Sequence, residues 1–118
     1  MLFTSQIDAY VLRYSGKSYS DTDSIAMIVL YDENKKHIGI IRFYKDGQTI
    51  PNNSLDNVSE PKRAFLSMYE RQLSGVVDML RNEKPCFLYY LNSVNAFLHS
   101  GTGLVGEEEN NRSLSYPF

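Results

Sequence analysis

Apolar residues recur along the 118-residue chain in two rhythms, and the helical one occupies a single stretch, Ser59 to Pro85. Stepping about 100° per residue from Phe65 gathers Phe65, Leu66, Tyr69, Leu73, Val76, Val77 and Leu80 into one arc, flanked by Met68 and Met79. Glu70, Arg71, Ser74, Asp78, Arg81 and Asn82 fall opposite. The ends carry matching signals. Ser59 can accept a bond from a free backbone N–H, Glu60 suits the positive end of the helix dipole, and Pro61 is tolerated in a first turn. Arg81 suits the negative end, and Pro85 stops the helix. The pattern predicts one long amphipathic helix over about 60–82, with Gly75 a mild defect inside it.

The second rhythm belongs to strands. Residues 2–14 read as a strand interrupted at Asp8 and Ala9. The runs 25–31 and 37–45 flank a short polar loop, which predicts an antiparallel hairpin. Asp46-Gly47 signals a tight turn, with a short return strand from Gln48 to Ile50. Residues 51–58 form a linker into the helix. Residues 86–92 make another strand, and 96–100 and 103–106 are extended pieces divided by glycines. The sum is an α+β plan: an antiparallel sheet of about five strands, with the helix packed on one face. Residues 1–106 make one domain, and 107–118 an acidic, polar tail.

Pairing the hairpin so that Asp32 faces His37 sorts its side chains onto two faces. Ala26, Ile28 and Leu30 lie with Gly39, Ile41 and Phe43. Ile25, Met27, Val29 and Tyr31 lie with Ile38, Ile40, Arg42 and Tyr44. Both sets are apolar, whereas a sheet with one wet side alternates apolar and polar. One helix covers one face, so the other must meet the N-terminal strand, a ligand, another protein or a second copy of the chain. The second set is therefore a candidate interface, and a homodimer is the leading expectation.

Composition narrows the function classes. Net charge is −2, so no overall basic bias points to nucleic acid or anionic lipid. No apolar run reaches bilayer-spanning length, and the start lacks the basic and apolar regions of a signal peptide. The one cysteine excludes an internal disulfide. A cytoplasmic, non-enzymatic binding domain without cofactor is the expectation.

The remaining motifs have plain readings. Gly101 to Gly106 spells G-x-G-x-x-G but lacks the strand–helix context and the later acidic residue of a dinucleotide site. Asp21-Thr-Asp23 opens like a calcium loop but continues into Ile25 and Ala26. His37, His99 and Cys86 show no paired ligand spacing. Glu107 to Glu109 read as a solvated acidic stretch. Nine tyrosines and six phenylalanines do supply stacking material. Aromatics on an open sheet face, with Arg13, Arg42 and Lys45 nearby, make a single-stranded nucleic-acid binder the alternative.

Overall fold

The computed structural model describes residues 2–15 and 24–101. Strands β1 (Phe3–Ile7), β2 (Ala9–Tyr14), β3 (Ala26–Tyr31), β4 (His37–Tyr44), β5 (Ser54–Asp56) and β6 (Arg63–Tyr69) precede a 3-10 turn (Glu70–Gln72) and helix α1 (Leu73–Asn82). Strands β7 (Cys86–Asn92) and β8 (Asn95–Ser100) follow. They form two sheets, one of three strands in the order β1-β7-β8 and one of five in the order β2-β3-β4-β6-β5. The class is α+β, as the pattern predicts.

The interruption at Asp8 is where one extended run passes from the small sheet to the large one. Ile7 pairs with Cys86 of β7, Ala9 pairs with Tyr31 of β3, and the Asp8 N–H between them donates to the Tyr31 carbonyl at 2.8 Å. The N-terminal strand therefore extends the large sheet at its edge. It does not fold over the sheet's second face.

The hairpin register matches the sequence reading, with Ala26 opposite Phe43, Ile28 opposite Ile41 and Leu30 opposite Gly39. A bulge between Leu30 and Tyr31 then sets Tyr31 opposite His37. The loop is held by Asp32, whose carboxylate accepts the N–H groups of Asn34 and Lys36, both at 2.9 Å.

The helical segment is shorter than expected. It runs from Glu70 to Asn82, and residues 63–69 form β6. This segment fits both periods: Phe65, Leu66 and Tyr69 share a helical arc, while Ala64, Leu66 and Met68 make one strand face and Phe65, Ser67 and Tyr69 the other. Backbone pairing to β4 on one side and β5 on the other decides for the strand. Ser59 is engaged elsewhere. Asp56 accepts the Val58 and Ser59 N–H groups and, at 2.7 Å, the Ser59 hydroxyl, which builds a turn instead of a helix cap. The β4–β6 pair is parallel, so the large sheet is mixed where an antiparallel one was expected. The Asp46-Gly47 turn forms, with Gly47 at φ +90°, but Gln48 to Ile50 do not return as a strand. The next strand is β5, inside the expected linker.

The core lies between one face of the large sheet and a cover made jointly by α1 and the small sheet. Phe43, Ile28, Leu30, Ile38, Ile41 and Leu88 are fully buried there. Helix α1 contributes Val76, with Leu73, Val77, Met79 and Leu80 packed alongside. Ile7 and Cys86 join from the small sheet. Among the described residues, no helix is long and apolar enough to cross a membrane.

Candidate functional site

The second face of the large sheet follows from register and alternation. Across its middle run Val11, Val29, Ile40, Phe65 and Ser54, one from each strand in order. Beside this row lie Arg13, Met27, Arg42 and Ser67. On its other side lie Ala9, Tyr31 and His37, with Arg63 and Asp56 beyond them. Met27, Val29, Tyr31, Ile40, Phe65 and Ser67 are half-buried, and Val11 keeps 45% of its surface exposed.

Most of the candidate interface reaches this face. Met27, Val29, Tyr31, Ile40 and Arg42 stand on it, half-exposed. Three residues need correction. The bulge before Tyr31 turns Ile38 into the core, where it is 1% exposed. Ile25 is half-buried and packs against the core cluster. Tyr44 pairs with Tyr69 at one end of the face but is only 6% exposed. Sequence reasoning missed Phe65 and Arg63, because a helix reading hides the alternation that places them beside Ile40 and His37.

The charges on the face are one-sided. The face positions of β2, β3, β4 and β6 include Arg13, Arg42 and Arg63 and hold no carboxylate; Asp56 on edge strand β5 is the exception. The side chains of Arg13 and Arg42 make no hydrogen bond or ion pair among the described residues. Arg63 donates through Nε to the His37 carbonyl at 3.4 Å, and its charge adds to the hydrogen bonds that hold the Asp56 carboxyl below its ordinary range. Arg71 is committed elsewhere, bonded to Asp46 at 3.2 Å and 4.9 Å from the Tyr69 ring centre. A cleft of about 430 Å³ opens on this face between β4, β6 and residues 51–54, lined by Arg42, Tyr44, Phe65 and Ser67 among others.

Other sites are less suited to a defined task. The outer face of the small sheet stacks Phe87 on His99 at 5.2 Å and Tyr89 on Phe97 at 4.5 Å, centre to centre. Its neighbours there are Thr4, Gln6 and Leu91, so rings are present without a cation. A larger cleft of about 640 Å³, where β1 meets β2 below the end of α1, mixes Asp8 and Glu83 with Arg81 and Lys84 and so favours neither ligand sign.

Cys86 and His99 point to opposite faces of the small sheet, since His99 pairs with Phe87. The Cys86 thiol is 3.3 Å from the Glu83 carbonyl and 3.6 Å from that of Met79, within donating reach of both. Burial, with the Glu83 charge, pushes its pKa up, away from a reactive thiolate. His37 stands on a different sheet from His99, and no group of three potential metal ligands occurs among the described residues. The glycine pattern beyond Gly101, the Asp21 and Asp23 pair and Glu107 to Glu109 lie outside the described residues.

No family model, curated protein or solved structure matches this chain.

Proposed function

We propose that this chain is a non-enzymatic binding domain whose working surface is the open face of the five-stranded sheet, and that its ligand is single-stranded nucleic acid. One observation carries the choice of ligand. Arg42 sits on the central strand of that face, half-buried, with no carboxylate partner among the described residues. Arg13 lies two strands away in the same row. An occupant that covers Arg42 without bringing an anion leaves a charge buried and unpaired, which is costly. A single strand brings phosphates for the arginines and rings for Tyr31 and Phe65, where stacking contributes about 1–3 kcal/mol per base.

The second reading is a homodimer through the same face, favoured by the apolar row Val11, Val29, Ile40 and Phe65. Two-fold packing would set one arginine-bearing face against another, with Asp56 at the edge of each the one carboxylate on it among the described residues. One experiment separates the two. Fluorescence anisotropy with a short labelled single strand reads binding, and light scattering on the same sample reads mass. The nucleic-acid reading expects binding at low salt by a monomer, weakened by Arg42→Gln. No binding at low salt, with a dimer that Ile40→Glu splits, gives the face to self-association instead.

A further inference from the structure

We propose that the cleft between β4, β6 and residues 51–54 is a subsite for one nucleotide unit, holding its base against Phe65 and its phosphate on Arg42. The proposal rests on the reading of the open face as a nucleic-acid surface, and it adds a defined anchor point to what would otherwise be a uniform platform.

Volume and chemistry both fit. At about 430 Å³ the cleft falls in the lower part of the range typical of small-molecule sites. Its lining offers a ring at Phe65, a cation at Arg42, and polar groups at Asn52, Ser54 and Ser67. The side chains of those three make no hydrogen bond among the described residues, so they are available to a base edge or a sugar. Among the described residues no carboxylate lines the cleft, so none of them repels a phosphate there.

The wall is fixed in advance. Residues 51–53 run past the end of β5, where ladder pairing to β6 has stopped. Asn53 takes over: its side-chain oxygen accepts the Ser67 N–H at 3.0 Å. Its own N–H donates to the Ser93 carbonyl, in the turn joining β7 to β8, at 3.2 Å. The segment is thereby tied to both sheets, and a ligand entering the cleft does not have to order it.

The test is competition. The full chain is bound to a fluorescent single-stranded oligonucleotide, then titrated with a nucleoside 5′-monophosphate, the matching nucleoside, or inorganic phosphate. The monophosphate should displace the oligonucleotide at a concentration at least about tenfold below either fragment, since ring and charge act together. Arg42→Gln should weaken the monophosphate by about tenfold or more, the loss expected for a charge-assisted bond. Arg13→Gln, remote from the cleft, should weaken the oligonucleotide and leave the monophosphate unchanged. Unaltered thermal melts exclude misfolding of either variant. If the oligonucleotide binds but the monophosphate does not compete, or both variants weaken it equally, the subsite is overturned and the open face still stands. Monophosphate binding measured directly without oligonucleotide binding overturns the broader reading and keeps the cleft. Binding of neither overturns both.

Discussion

Gly39 sets how closely the two sheets approach. A Cβ placed there would lie 2.5 Å from the Ala64 carbonyl oxygen and 2.8 Å from Leu88 Cδ2. The first is backbone of the adjacent strand and cannot rotate away. Gly39→Ala should therefore destabilise the protein by about 1–3 kcal/mol or more, read as a lower denaturant midpoint. Leu88→Ala costs about 2–5 kcal/mol by itself, and the double variant should lose less than the sum of the two single losses, because one of the two obstacles is then gone. The histidines give a pH test. Desolvation lowers the pKa of His37, helped by the Arg63 charge and opposed by a hydrogen bond with Gly39, and desolvation alone lowers that of His99. The unfolded chain then binds protons that the folded one refuses. Stability should hold above the ordinary value of 6.5 and fall as pH drops below it toward the folded values. Chemical denaturation at stepped pH reads this directly, and His99→Phe should flatten part of the slope. An acid-side slope unaffected by replacing either histidine would rule out this source.

The strand at 63–69 shows what the sequence could and could not reveal. The hairpin was legible because β3 and β4 are joined by a short loop, so their register follows from the chain itself. The bulge at Tyr31 was not, and it decided whether Ile38 faces the core or the open side. For residues 63–69 the local pattern reads as helix, and the strand comes from pairing with β4 and β5, partners that pattern does not name. One strand of the candidate face was hidden by that reading: Arg63, Phe65 and Ser67 all depend on β6. The two periods make opposite mutational forecasts. A helix buries Phe65 and Leu66 together on one arc. The strand puts Leu66, at 2% exposure, in the core and Phe65 on the open face. Leu66→Ala should cost about 2–5 kcal/mol, with Phe65→Ala costing less than half as much in the same denaturation assay. Equal losses would restore the helix. Asn53→Ala should cost about 1 kcal/mol, by stranding the Ser67 N–H, and Asn53→Asp should keep most of that stability since it keeps the acceptor.

At the scale of the whole molecule, charge is distributed against the average. The chain carries a net −2, yet the open face presents three arginines and, at its β5 edge, one aspartate. Two consequences follow for an anionic ligand. The face attracts phosphate at short range, while the acidic remainder repels it once ions no longer screen the distance between them. The number of phosphates in contact is small: Arg13 and Arg42 are without partners among the described residues, and Arg63 is shared with the His37 carbonyl. Two or three neutralised phosphates give a slope of about −1.4 to −2 in log K against log salt for a single strand. Between 50 and 200 mM salt that is a loss of roughly 7- to 20-fold, far below that of a strongly basic binder. Stacking on Tyr31 and Phe65 is insensitive to salt and should remain. Anisotropy titrations across that range should therefore show a shallow line, and Arg13→Gln should lower its slope by about 0.7. Tyr31→Ala should shift the line down without changing its slope, because it removes a ring and no charge. A steep line, with a slope beyond about −4, would mean that phosphate contacts lie elsewhere on the chain and that the arginines of this sheet do not carry the binding.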